Sequence, residues 1–332
     1  MKYCAEYVWL DSENKFRSKV MIMDNNDNKY DVSNYPIWNF DGSSCGLADV
    51  KKSEVYLEPI NVYPNHFHKK DYDVVVYCDT YQMINGKKTY NTKRHLFNDD
   101  DNIRYGLEQE FYLVDKETHN PYGYVKPSFI SSFFTCKNSY CNIGDTNIEV
   151  RRYLHNVMEI CLDMGISLTG YNLEVGPSQC EFQISDFGIN ACDDLIMLRY
   201  VMERESEDFP FYVNYEPKPF SDLPGSGCHI NISNNESRGE NGLDYIYKVV
   251  NKMSKDADSH ICNYGKNNKN RLTGHNETSD YRVFTSGVGS RNTSIRIPNS
   301  VYNDKRGYFE DRRPGANIDP YIACGYLSTF LV

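Results

Sequence analysis

The segment Ile103-Arg-Tyr-Gly-Leu-Glu-Gln-Glu-Phe-Tyr-Leu-Val114 limits the possible folds more than any other. Its aromatic and branched residues read as a strand. Glu108 and Glu110, two residues apart, therefore place both carboxylates on one face. Taken alone, the pair fits a solvent-facing strand. Carboxylates on neighbouring same-face positions repel each other, however, and stay ionised together only beside water, arginine or a metal cation.

More acids follow in similar settings. Tyr171-Asn-Leu-Glu-Val175 and Gln179-Cys-Glu-Phe-Gln-Ile184 read as a strand pair turned at Gly176-Pro177, carrying Glu174 and Glu181. Gly225-Ser-Gly-Cys-His-Ile-Asn-Ile-Ser233 reads as a Gly-rich turn entering a strand. His229, Asn231 and Ser233 alternate onto one face of that strand, and Ile230 and Ile232 onto the other. Near the end of the chain, Gly289-Ser-Arg-Asn-Thr-Ser-Ile-Arg-Ile-Pro298 and Gly307-Tyr-Phe-Glu-Asp-Arg-Arg-Pro314 set Arg291, Arg296, Arg312 and Arg313 around Glu310. Guanidinium forks suit carboxylate and phosphate groups, although a solvated strand with charges of both signs is the plainer reading of that segment alone.

Strands are expected at 3–10, 16–23 and 72–78, with a turn at 24–28 and a tight turn at 38–44; no long helix is evident before residue 80. A polar stretch over 83–104 suggests a boundary between a small β domain, 1–85, and a larger domain, 86–332. In the larger part, apolar spacing predicts helices over 146–164, 189–206, 243–260 and 320–331. Strands bearing acids, interleaved with helices, give an α+β class.

A net charge of −10 argues against a nucleic-acid partner, and no stretch of about 18 apolar residues suggests a membrane span. Eleven cysteines without a CxxC pair, and no apparent leader, read as free thiols in a reducing, cytoplasmic setting. Five carboxylates and one imidazole suit Mg²⁺ or Mn²⁺ better than Zn²⁺. Metal ions ringed by arginines fit phosphoryl transfer, and the absence of a GxxxxGK[ST] loop excludes a P-loop site.

Six blocks occur in one order: Asn39-Phe-Asp-Gly-Ser-Ser44, Gly106-Leu-Glu-Gln-Glu110, Glu174 to Gln183, Gly227 to Ser233, Arg271-Leu-Thr-Gly274 with Glu277, and Gly307 to Pro314. In that order the chain resembles eukaryotic-type (type II) glutamine synthetase over nearly its whole length. The resemblance implies an N-terminal β-grasp domain and a catalytic domain with a curved antiparallel sheet flanked by helices. It implies ATP-dependent ligation of ammonia to L-glutamate through γ-glutamyl phosphate, with two or three Mg²⁺ or Mn²⁺ ions per site. By motif, Glu110, Glu174 and Glu181 would hold one metal. Glu108, His229 and Glu310 would hold a metal bridging the ATP phosphates. Gly225, Arg271, Arg291 and Arg312 would bind substrate, with Arg291 also catalytic. Glu108, Asn231, Ile232, Ser233, Arg296 and Tyr308 would contact ATP. Asp41, reaching across from a neighbouring subunit, and the flap carboxylate Glu277 would form the ammonium site. Type II members assemble as two stacked pentameric rings, so a homodecamer is implied.

Some positions depart from the family pattern. Pro224 replaces the usual Asn before Gly225, Gly289-Ser290 replaces Ala-Asn, Asn276 replaces His, and the helix expected near 93–103 is shortened. Two rival readings follow: a ligase joining glutamate to another amine, and a catalytically silent structural relative.

Overall fold

The first strands are built by aromatic and branched residues whose inward members meet in a core of Tyr3, Ala5, Tyr7, Trp9, Leu57, Val74 and Val76. The computed structural model describes residues 2–24, 28–68, 73–124, 139–144, 148–275 and 279–331. Two compact units divide it: Met1–Leu96 with Leu162–Gly165, and Phe97–Cys161 with Ile166–Val332.

The first unit is a six-stranded sheet of β1 (Lys2–Leu10), β2 (Phe16–Asp24), β3 (Trp38–Asp41), β4 (Glu54–Pro64), β5 (Val74–Ile84) and β6 (Lys87–Tyr90). Its order is β2-β1-β5-β4-β3, with β6 on β5. β1 and β5 run parallel and the remaining neighbours antiparallel. The β5–β6 hairpin straddles residue 85. β4 is absent from the sequence expectations because Pro59 and Pro64 interrupt its pattern; a register shift between Pro59 and Asn61 accommodates the first. The helix near 93–103, expected to be shortened, is one 3₁₀ turn, Arg94–Leu96.

The second unit holds an eight-stranded sheet: β7 (Arg104–Asp115), β8 (Leu168–Leu173), β9 (Gln179–Phe187), β10 (Phe211–Asn214), β11 (Cys228–Ser233), β12 (Ser286–Val288), β13 (Ile295–Ile297) and β14 (Phe309–Asp311). The order is β12-β13-β14-β11-β7-β9-β8, with β10 also on β7. The sheet is antiparallel except at its edge, where β12 and β13 run parallel. Both sheets are thus mixed, and the class is α+β as expected.

Helices α1 (Ile148–Asp163), α2 (Gly188–Glu205), α3 (Asn235–Arg238), α4 (Gly242–Met253), α5 (Ala257–Asn263), α6 (Asn299–Asp304) and α7 (Pro320–Ser328) complete the described residues. α2 packs on β7 and β9 and is buried along most of its length. The single helix expected over 243–260 is two helices, α4 and α5, joined by a 3₁₀ turn at Ser254–Asp256. Ile148, the first residue of α1, is exposed although apolar.

Candidate active site

Strand register, more than sequence spacing, assembles the site. β7 lies between β11 and β9. On one side Glu108 pairs with His229, and on the other Glu110 pairs with Glu181. β11 in turn sets Asn231 against Glu310 of β14, and β13 sets Arg296 against the same Glu310. Period-two alternation then turns Ile230 and Ile232 fully into the core while His229 and Asn231 face the acids.

Two groups of three ligands result. Glu108, His229 and Glu310 offer atoms within 4.8 Å of one another, and so do Glu110, Glu174 and Glu181. His229 links the groups: its Nδ1 lies 3.3 Å from Glu108 and 3.6 Å from Glu310, and its Nε2 lies 4.0 Å from Glu110. The carboxylates are held from behind. Glu110 accepts the Gly227 N–H at 2.6 Å, Asn172 donates to Glu174 at 3.0 Å, and Gln183 donates to Glu181 at 2.5 Å. Asn231 donates to Glu108 at 2.7 Å. Sequence reasoning missed Asn172 and Gln183; Gln183 follows Glu181 by two residues on one strand face, the signal that revealed Glu108 and Glu110.

Burial favours the neutral form of Glu110, Glu181 and His229 alike. Burial, then the neighbouring Glu174 charge, pushes the Glu110 carboxyl up to about 8. Burial and the charges of Glu108 and Glu110 push Glu181 up to about 9. Buried His229 is held well below its ordinary value by desolvation, reinforced by the Arg312 charge, so its imidazole is neutral and free to ligate. Like-charged residues directly opposite on a ladder destabilise it unless a cation lies between. An oxygen-rich set with one neutral imidazole therefore fits hard divalent cations.

Arginines close the other side. Arg296 meets Glu310 at 3.1 Å, and Arg312 pairs with the other Glu310 oxygen while donating from Nε to the Arg291 carbonyl at 3.2 Å. The Arg291 side chain is itself exposed. Arg271 is buried; its Nη2 reaches the carbonyls of Arg312, Arg313 and Pro314 at 3.0, 2.8 and 2.9 Å. Burial lowers its pKa to about 10, which leaves it charged near neutrality. Gly225 lies against it: a Cβ there would stand 2.5 Å from Arg271 Cγ and 2.5 Å from the Pro217 carbonyl oxygen. Arg313, grouped by sequence with the arginines around Glu310, instead lies in a buried pair with Asp311.

A cleft of about 410 Å³ opens beside Glu108, lined by Gly106, Asn231, Ser233, Tyr308, Arg104 and Arg238 among others. Ile232, expected to contact the nucleotide, turns its side chain into the core, fully buried, so only its main chain could take part. Asp41 ends β3 in the first unit. There it is exposed and caps the following 3₁₀ turn, accepting from Ser43 Oγ at 2.6 Å and Ser43 N at 3.0 Å. These bonds hold its carboxyl below the usual range, hence ionised. Glu277 lies outside the described residues.

Comparison with known proteins adds an independent line. The profile of the glutamine synthetase catalytic domain matches residues 91–328. A relative from Acanthamoeba polyphaga mimivirus is 41% identical over 325 residues, covering 95% of this chain and 90% of its own. Glutamine synthetases of Kluyveromyces lactis and Saccharomyces cerevisiae are 39% and 38% identical over 330 residues, each match covering 97% of this chain and 87% of the relative. A solved structure described as "Apo GmaS without ligand" superposes with a TM-score of 0.72 at 17% identity, over 99% of this chain and 76% of its own; that likeness concerns the fold.

Proposed function

The chain belongs to the glutamine synthetase family, and on that premise we propose that it joins ammonia to L-glutamate through γ-glutamyl phosphate, releasing ADP and phosphate. The observation that carries this reading is the pair of ligand groups meeting at His229, with arginines on one flank and an open cleft on the other.

Glu110, Glu174 and Glu181 would hold one divalent cation and Glu108, His229 and Glu310 another, Mg²⁺ or Mn²⁺ by their donor chemistry. When bound, these ions screen the repulsion between the phosphates of ATP and the glutamate carboxylate. The chain's own residues do the rest. Glutamate's γ-carboxylate is a poor acyl electrophile because its oxygens share the negative charge. Transfer of the ATP γ-phosphoryl group to one oxygen makes that oxygen a leaving group and frees ADP. Ammonia then attacks the carbonyl carbon and phosphate departs.

Arg312, fixed by Glu310 and the Arg291 carbonyl, presents its guanidinium where charge builds on the transferred group, and Arg291 reaches it from the rim. Arg271 and Gly225 hold glutamate, Asn231, Ser233 and Tyr308 hold the nucleotide in the cleft beside Glu108, and Arg296, paired with Glu310, contacts it from β13. Ammonium has no free lone pair, so a base must take its proton. Asp41 is ionised and exposed for that role, acting from a neighbouring subunit of a homo-oligomeric ring, and Glu277 completes the anionic pocket. A reducing, cytoplasmic setting suits the free thiols, and among the described residues no helix is long and apolar enough to cross a membrane.

The test is ATP- and Mg²⁺-dependent glutamine formation beside Glu110→Gln, which keeps the shape and removes one ligand charge. Even outer partners of metal ligands shift activity by about 10- to 100-fold, so loss of a ligand should cost at least about 100-fold. Equal turnover in both proteins sinks the site assignment. Preference for an alkylamine over ammonia would move the reading to another glutamate–amine ligase, and failure to bind ATP with metal would move it to a silent relative.

A further inference from the structure

β1 of the first unit alternates strictly. Tyr3, Ala5 and Tyr7 enter the core, while Cys4 and Glu6 turn to the opposite face. Parallel pairing sets Ala5 against Val74, which brings Asp73, just ahead of β5, alongside Cys4. Asp73 Oδ1 accepts the Cys4 N–H at 2.8 Å, and Oδ2 lies 3.2 Å from His68 Nδ1. The ligand atoms of Cys4, His68 and Asp73 all fall within 4.8 Å of one another.

A second layer stands behind them. Asn65 Nδ2 donates to Glu6 Oε2 at 3.0 Å, and that oxygen lies 3.9 Å from His68 Nε2. Asp73 and Glu6 are 3% and 4% exposed, and among the described residues neither has an ion-pair partner other than His68. Two buried carboxylates flanking a single imidazole hold more negative charge than one protonated ring can balance. A thiol in the same cluster turns the arrangement from a hydrogen-bonded histidine into a ligand set.

We propose that Cys4, His68 and Asp73 form a binding site for a single borderline-soft divalent cation of the Zn²⁺ class. Thiolate, imidazole and carboxylate are the usual Zn²⁺ donors, whereas the catalytic clusters offer only oxygen and one imidazole. The second layer matches what such sites need. His68 ligates through Nδ1 and directs its Nε2–H toward Glu6, and the Asp73 oxygen not used for ligation is held by the Cys4 amide. Binding releases the thiol proton and ties His68 and Asp73 to β1, with the fourth position left to water. All the ligands belong to the first unit, and the proposal does not depend on the reaction assigned to the second.

The experiment titrates the reduced, full-length protein with Co²⁺ in excess Mg²⁺, which occupies the oxygen-rich catalytic clusters, and reads the thiolate-to-cobalt charge-transfer absorption. One equivalent should generate the band, Zn²⁺ should abolish it competitively, and Glu110→Gln should retain it. Cys4→Ser should lose it, and His68→Gln should weaken cobalt affinity by about tenfold or more. Cys4→Ser is expected to leave glutamine formation unchanged, which also reports that the variant folds. No band in the wild type, or a band that persists in folded Cys4→Ser, overturns the site.

Discussion

Glu110 of β7 stands directly opposite Glu181 of β9 in antiparallel register, two buried carboxylates facing each other across one ladder. Both carboxyls are pushed up, to about 8 and about 9, by burial and neighbouring charge. A carboxyl whose folded pKa exceeds its unfolded value near 4.5 favours folding less as pH rises between the two. The metal-free chain should therefore lose thermal stability from about pH 5 to about pH 9. Added Mg²⁺ should restore it, with a larger gain in melting temperature at the alkaline end because fewer protons compete for the ligands.

Glu181→Gln follows from the same pair and carries an unusual sign. Removing one of two facing charges should raise the alkaline stability of the metal-free protein while shrinking its response to Mg²⁺ to what the intact Glu108–His229–Glu310 group supplies. Thermal melts with and without the ion read both effects. A variant destabilised at alkaline pH whose response to Mg²⁺ is undiminished would contradict the pairing.

Gly225→Ala probes the backing of Arg271. The added methyl would meet the Pro217 carbonyl oxygen and Arg271 Cγ, each at 2.5 Å, and main chain cannot yield as a side-chain tip can. Overpacking of this kind costs about 1–3 kcal/mol. The displaced guanidinium should raise KM for glutamate more than KM for ATP, and steady-state kinetics with each substrate varied separates the two. An equal rise in both would detach Arg271 from glutamate binding.

Asp311→Asn tests the support beneath the site. Asp311 and Arg313 form a two-pronged buried pair, joined by Tyr264 at 2.8 Å. Burial alone would raise the Asp311 carboxyl, yet the Arg313 charge and hydrogen bonds outweigh it and hold the group below its usual range. Leaving Arg313 unpaired should cost about 3–5 kcal/mol. Because the folded pKa is depressed, the wild-type advantage is present above about pH 4 and shrinks as pH falls through the folded value. Urea melts of both proteins should converge in acid and separate at neutral pH.

The acid-bearing strands were legible because their polar residues alternate with fully buried apolar ones, as in His229, Ile230, Asn231 and Ile232. β4 was not, since two prolines hide a strand whose register shifts around one of them. Nor was the support of α2: Arg199, deep in that helix, donates to Gln109 at 2.8 Å and to the Ile318 and Ala316 carbonyls, a buried charge of a residue type usually found in solvent. That Glu310 meets His229 depends on cross-strand pairing, which no local pattern contains; only the ordered set of motifs pointed to it. The same set pointed to the two ligand groups, whose members the strands draw from five separate stretches of chain.

The position of β14 in that register bears on how the protein is made. During synthesis Glu108, Glu110, Glu174, Glu181 and His229 emerge well before Glu310 and Arg312, and β11 has only β7 to pair with until β14 arrives. One ligand group can thus close on a nascent chain while the other stays incomplete, and Arg312 is still missing from the arginine flank. A stalled or prematurely terminated polypeptide would carry the Glu110, Glu174 and Glu181 group without Glu310 or Arg312, so the second ligand group is completed only in about the last tenth of translation.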